Sequence, residues 1–285
     1  MIDHYVSQNI SNPQYLRNHN AGKNVCQLFS SKTGKKNDWN SNFRLENLAI
    51  AQYQPHNTID ALLKAAPFIK EKIDSYGVIL VQLAKVAGFK VDYVGVDVKS
   101  YESIAKKAGH RAVCEVRDVA RGSIIVPDGA EGQKAMAYLT WLMHPERNPH
   151  TVYIQDDASQ GSLVGHNISG YRKVNAKLSF DAHGIGELRI VPKSFYESQP
   201  ETEGSYKTAS ADFNAASAYS KTAKDGIAFP MKALNHLNDL QAVNNQIAER
   251  CGYKGFNLLK TIQENEQFFK TYAISKQKVL DGYCY

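Results

Sequence analysis

Lys99, Ser103 and Lys107 recur at four-residue spacing in the stretch Lys99-Ser100-Tyr101-Glu102-Ser103-Ile104-Ala105-Lys106-Lys107. On a helix, residues spaced in this way share one face and climb about 6 Å per step, so the two lysines stand roughly 12 Å apart. That is the reach of an extended triphosphate, and equally the look of a solvated helix face. A second chemically loaded stretch begins at Gly170-Tyr171-Arg172. Between Arg172 and Phe180, Val174, Ala176, Leu178 and Phe180 alternate with Lys173, Asn175, Lys177 and Ser179, the period of a strand. Turn-forming residues Asp181–Gly184 lead into Ile185–Val191, where Leu188 and Ile190 take the core face and leave Glu187 and Arg189 on the open one. The pattern predicts a hairpin with a tyrosine at its mouth and a carboxylate beside a guanidinium on its outer side. A merely solvated sheet face has the same composition.

The elements that must position these residues are legible in part. Residues 1–56 are polar, with little periodicity, and are expected to be irregular; Lys35 after Gly34 lacks the other residues of a phosphate loop. Asn57 or Thr58 caps a helix carrying Ile59, Leu62, Leu63, Ala66, Phe68, Ile69 and Ile73, and a second helix, Asp74–Ala87, is closed by Gly88. Val91–Val98 is an extended run. Ala112–Arg117 is expected as a strand ending at Asp118, and Gly122–Pro127 as another. Asp128–Met143 is helical and His150–Gln155 a further strand. After Pro192, Glu197–Ser210 looks loop-like, and Ala211–Lys221, Met231–Arg250 and Gly255–Tyr272 look helical. The order predicts an α+β fold, with a mixed sheet of about five strands flanked by helices. The expected division is an irregular segment over 1–56, a main domain with leading helices over 57–225, and a helical segment over 226–285.

With 285 residues, 43% of them hydrophobic and 22% charged, the chain can bury a full core. Its net charge of +6 is spread along the sequence and suits a polyanionic ligand without demanding nucleic acid. Cys26, Cys114, Cys251 and Cys284 have no paired spacing, which suits a reducing compartment and gives no zinc motif. No apolar run reaches the ~18 residues of a membrane span, and the amino terminus has no signal-peptide apolar region. His110, His166 and His183 read as loop or surface residues rather than ligands.

Taken together, the pieces over roughly residues 90–195 resemble the synthetase domain of the RelA/SpoT family, which moves pyrophosphate from ATP to the ribose 3′-hydroxyl of a guanine nucleotide. Lys99, Ser103 and Lys107 look like the family's ATP-phosphate helix, Asp118 like its magnesium-holding aspartate, and Ser169-Gly170-Tyr171 like the loop whose tyrosine stacks on the acceptor base. Glu187-Leu188-Arg189-Ile190 looks like the family's glutamate strand. The sequence departs from the family at nucleotide-contacting positions. Asp97 stands where an adenine-stacking arginine is usual, Arg121 is displaced, Asn175 replaces a histidine and Arg189 a glutamine. No histidine–aspartate hydrolase cluster precedes the domain, so the chain looks like a small alarmone synthetase or a toxin relative.

The resemblance implies a magnesium-dependent ATP:nucleotide pyrophosphokinase. Asp118 and Glu187 would be catalytic and hold Mg²⁺, with Glu187 also a candidate base for the 3′-hydroxyl proton. Lys99, Ser103, Lys107, Arg111, Arg117 and Arg121 would bind ATP, and Tyr171, Arg172, Asn175 and Arg189 a purine nucleotide acceptor, giving (p)ppGpp- or (p)ppApp-type products. Two alternatives stand beside it: an RNA 3′ end such as that of tRNA as acceptor, or a catalytically silent binding module on the same fold. The expected site of action is cytoplasmic, including that of a target cell if the chain is a delivered effector; the oligomeric state stays open.

Overall fold

The computed structural model describes residues 53–109, 112–145, 147–159, 170–202, 204 and 231–281, side chains at 181, 231–237 and 273–281 excepted. Thr58 starts the first helix, its Oγ1 accepting the Ala61 N–H at 3.2 Å. This helix, α1, runs unbroken over Ile59–Val86 instead of forming the two expected. The reason is visible in its buried face: Leu62, Ala66, Ile69, Ile73, Gly77, Leu80 and Ala84 continue one stripe straight past Asp74. Asp74 begins nothing. Its carboxylate accepts from Lys70 Nζ (2.6 Å), the Tyr93 hydroxyl (2.9 Å) and the Val96 N–H (2.9 Å), and so ties the helix to the first strand. Gly88, at φ 87°, follows the helix end as expected.

Among the described residues there follow β1 (Asp92–Val98), α2 (Tyr101–Ala108), β2 (Ala120–Val126), α3 (Gly129–Leu142), β3 (Thr151–Asp156), β4 (Val174–Ser179), β5 (Ile185–Pro192), α4 (Lys193–Glu197), α5 (Met231–Arg250) and α6 (Leu258–Asp281). Among the described residues the strands form one mixed sheet in the order β1-β2-β5-β4-β3, and the architecture is α+β, as the sequence predicts. Only β2 and β5 run parallel; the other neighbours are antiparallel. Ala112–Arg117 is no strand: a single 3₁₀ turn, Val113–Glu115, stands there. The segment feeds into the start of β2, whose two edges are already taken by β1 and β5. Residues 193–197 are helical, and so are residues 199–202, inside the stretch from Glu197 to Ser210 that was expected to be a loop. The expected irregular segment up to residue 52 and the Ala211–Lys221 helix lie outside the described residues.

The two faces of the sheet differ sharply in chemistry. Ile124, Val174, Ala176, Leu178, Leu188 and Ile190 are fully buried on one face. Helix α1 lies directly on it: a Cβ at Gly186 would come within 2.7 Å of Ile73 Cγ1 and 2.8 Å of Ile69 Cγ2, so only glycine admits so close a helix. Helix α3 packs beside α1, and α6 against α3. On the opposite face the pairing aligns Arg121 with Glu187 and Glu187 with Lys177, and in the next row Ser123 with Arg189 and Arg189 with Asn175. One face is therefore the core and the other is polar, which the alternation in the sequence foretells. Cys114 is disulfide-bonded, against the expectation of unpaired cysteines, while Cys251 is free and buried.

Candidate active site

The polar face is built from both ends of the chain's central region. Strand β1 ends at Val98, and the Lys99 N–H extends its ladder by donating to Val119 O at 2.8 Å, which holds Lys99 beside Asp118. Ser100 then caps α2, accepting the Ser103 N–H at 3.3 Å. Buried Ile104 anchors this short helix, and Lys107 sits in its last turn. Lys99 thus precedes the helix, and the expected stripe of three residues on one helical face does not form. The cap residue takes the place that a longer helix would have needed. The two lysines nevertheless converge: Lys99 Nζ lies 3.4 Å and Lys107 Nζ 2.6 Å from Asp118 Oδ2. Ser103 is exposed, and its hydroxyl accepts from that of Ser100 at the helix start at 3.2 Å.

Asp118 stands two residues before β2 and is 7% exposed. Arg121 Nη2 also reaches its Oδ2, at 2.6 Å, and Arg121 Nε reaches Glu187 Oε1 at 3.0 Å. Glu187, 6% exposed, is ion-paired on its other oxygen with Lys177 Nζ. Its position on the sheet's open face is as expected, but neighbouring cations bury it, where a solvated side chain was foreseen. Burial pushes both carboxyls up, yet their neighbours outweigh it. Lys107, Arg121 and Lys99 hold Asp118 far below the usual carboxylate range. Lys177, Arg121 and Lys173 do the same for Glu187.

In the adjoining row, Arg189 donates to Ser123 Oγ through Nε (3.1 Å) and Nη2 (2.8 Å). Asn175 Nδ2 donates to Asp157 Oδ2 at 3.3 Å, and Gln155 Nε2 to Asp157 Oδ1 at 2.9 Å. The Asn175 Oδ1 is buried and has no donor. Tyr171 is half-buried, its ring meeting Phe195 edge-on at 5.3 Å with Lys173 Nζ 6.0 Å from its centre. Burial pushes its hydroxyl up to about 12. It is a braced ring rather than an outstretched one.

Some expected residues lie elsewhere. Arg172, 8% exposed, donates from Nη1 to Ser159 O at 2.9 Å and so braces the loop that follows β3. The Arg117 charge acts on Tyr53, and Asp97 is exposed, opposite Arg121 across a bulge in β1. Arg111, His110 and His166 lie outside the described residues. His183 is exposed with its ring stacked on Phe68 at 3.8 Å. Lys173 and Lys177 were not singled out from the sequence. The hairpin turn held the signal: pairing Ser179 with Ile185 forces Lys177 opposite Glu187.

Among the described residues, no group of three or more His, Cys, Asp or Glu side chains gathers as a metal cluster, and no helix is long and apolar enough to cross a membrane. Asp118 and Glu187 converge on the Arg121 guanidinium, which brings two hard oxygen donors close to one group. Such a pair suits Mg²⁺, an ion that normally keeps waters and takes its remaining ligands from substrate phosphates.

No protein-family model matches the sequence, and no curated protein is similar to it. Solved structures are. The type VI effector Tas1, in complex with its immunity protein, shares 17% identity at a TM-score of 0.42, over 67% of this chain and 96% of that one. A GTP pyrophosphokinase family protein from Streptococcus pneumoniae shares 16% at 0.40, over 76% and 95%. Small alarmone synthetase 1 from Bacillus subtilis shares 15% at 0.40, over 69% and 93%.

Proposed function

We propose that the chain is an ATP:nucleotide pyrophosphokinase that transfers the β,γ-pyrophosphoryl group of ATP to the ribose 3′-hydroxyl of a purine nucleotide. The observation that carries this reading is the charge arrangement on the open face. Asp118 and Glu187 are bridged by Arg121 and hemmed in by Lys99, Lys107, Lys173 and Lys177. The cations outnumber the carboxylates, so the face attracts a polyphosphate while keeping two acids at its centre.

Phosphoryl-type transfer needs positioning and charge neutralisation more than covalent help from the protein. In this reading the triphosphate oxygens take over Lys99, Lys107 and Arg121, which frees Asp118 and Glu187 from their ion pairs. The two carboxylates would then hold Mg²⁺, which supplies charge neutralisation across the phosphates when bound. In the free protein Glu187 is a poor proton acceptor, because Lys177 and Arg121 hold it ionised. Pairing of Arg121 with phosphate raises the basicity of Glu187, which takes the proton of the 3′-hydroxyl. The 3′-oxygen forms its bond to the β-phosphorus, the bond from that phosphorus to the α,β-bridging oxygen breaks, and AMP leaves. Tyr171 offers one ring face to the acceptor base. The Asn175 Oδ1 accepts a hydrogen bond from a base edge once the acceptor is seated, and Arg189 lies within the same row.

The experiment is an incubation with ATP labelled at the β-phosphate, Mg²⁺, and in turn GDP, GTP, ADP and deacylated tRNA, with products resolved. Label on a free nucleotide together with AMP is expected. Label on the RNA 3′ end would replace the nucleotide acceptor, and tight ATP binding without transfer to any acceptor would reduce the chain to a binding module.

A further inference from the structure

Gln54 lies outside the open face, yet it touches both segments that carry the carboxylates. Its side chain is 0% exposed. The amide Nε2 donates to Val116 O (2.9 Å) and Ile185 O (2.7 Å), and Oε1 accepts the Ile185 N–H (2.7 Å). The backbone N–H of Gln54 donates to Cys114 O at 2.7 Å. Val116 stands two residues before Asp118, and Ile185 two residues before Glu187. The amide engages both backbone groups of Ile185, as a neighbouring strand would, and with its second N–H holds the loop before β2. No aliphatic residue of the same volume could do this. Gly184 completes the seat: its φ is 122°, and a Cβ there would stand 2.5 Å from Gln54 Oε1.

We propose that Gln54 is a positioning residue, whose amide locks the loop bearing Asp118 to the start of the strand bearing Glu187 and thereby fixes the separation of the two carboxylates. The proposal rests on the pyrophosphokinase reading for its catalytic meaning, and on the hydrogen bonds alone for its structural one. The β2–β5 ladder starts at Arg121 and Glu187, so Gln54 ties the two segments ahead of that ladder and holds their spacing while the cations change partners. No cation takes part in this clasp, so it persists when the ion pairs are exchanged.

The test compares Gln54→Met, which keeps the volume and removes the amide, with Thr58→Ala, which loosens the nearby start of α1 without touching either carboxylate segment. In Gln54→Met, kcat falls by about 10²-fold, as for a small misplacement of reacting groups. The Mg²⁺ concentration for half-maximal rate rises, and the KM for each nucleotide stays near wild type. Thr58→Ala lowers Tm but leaves kcat and the Mg²⁺ dependence unchanged. Amide hydrogen exchange gives the readout that needs no activity: exchange at Ile185 and residues 117–119 quickens by about tenfold or more in Gln54→Met only. If Gln54→Met fails to fold, Gln54→Asn, with the amide retained but one methylene short, serves for the same measurements. A wild-type chain that transfers pyrophosphate to no acceptor would sink the enzymatic reading and leave the clasp to hydrogen exchange. Unchanged exchange at those amides, or unchanged kcat and Mg²⁺ dependence in a folded variant of an active enzyme, overturns the proposal.

Discussion

Arg121 and Glu187 stand opposite each other on the two parallel strands, joined Nε to Oε1 at 3.0 Å, and the same guanidinium holds Asp118 at 2.6 Å. Two buried carboxylates are thus kept side by side by one planar group. An ammonium has no such fork.

Replacing Arg121 should therefore damage geometry and charge together. Arg121→Ala is expected to slow transfer by about 10²–10³-fold, the usual loss for one preorganised electrostatic contact. Arg121→Lys should recover little of it. Steady-state rates at saturating ATP and acceptor provide the check, and rates within twofold of wild type would demote Arg121 to a spacer.

Glu187→Gln separates stability from chemistry. It leaves the part-buried Lys177 ammonium without its partner, a change whose cost stays below the roughly 3–5 kcal/mol seen when one member of a fully buried pair is removed. The double variant Glu187→Gln/Lys177→Met should regain most of that stability in chemical denaturation, yet stay about 10²–10³-fold slow. Recovery of activity in the double variant would take Glu187 out of the reaction.

The pH dependence of stability follows from the direction of the shifts. Asp118 and Glu187 are both held below their unfolded values, so their contribution is complete above about pH 5 and drains away as pH falls below it. Unfolding free energies at pH 7, 4 and 3 should show the wild-type advantage over Asp118→Asn shrinking in that window. An advantage that grew on acidification would contradict the ion-pair account.

Lys99→Ala and Lys107→Ala should each raise the KM for ATP by about tenfold, the worth of a charged hydrogen bond of about 1.5 kcal/mol, and alter the acceptor KM less. Ser103→Ala, at an exposed position engaged in the start of α2, should change neither KM by more than about twofold. A selective effect of either lysine on the acceptor would reverse the two sides of the site.

Tyr171 packs on Phe195, so Tyr171→Ala should lower Tm as well as raise the acceptor KM by a similar factor for every accepted purine. A contact of the stacking kind is worth about 1–3 kcal/mol and tolerates any base. Tyr171→Phe should be nearly silent. An effect confined to one purine would mean that the ring's hydroxyl or its loop reads the base edge.

Local periodicity made much of this molecule readable. The alternation from Val174 to Ile190 gave the hairpin, its core face and the outward Glu187 and Arg189, because each strand needs only its own sequence to declare its sides. What was hidden depends on partners distant in sequence. Whether Ala112–Arg117 becomes a strand is decided by the occupied edges of β2, and whether α1 breaks at Asp74 is decided by the sheet beneath it. Arg172 reads like a ligand contact until Ser159 O takes its guanidinium. Lys99 illustrates both cases: its charge was legible, but its place beside Asp118 was not, because the Ser100 cap that excludes it from the helix competes locally with a propensity that looked sufficient.

The single parallel pairing in the sheet divides the site between two ribbons. Asp118, Arg121, Lys99 and Lys107 come with the β1–β2 ribbon, while Glu187 and Lys177 come with the β3–β4–β5 meander. Each ribbon closes locally through antiparallel neighbours, but the β2–β5 seam joins residues about 66 positions apart and must await the crossover through α3. Neither ribbon alone holds both acids. A nascent chain emerging amino terminus first carries only half of the charge constellation until β5 has docked, so the competent face arises in one late step of folding.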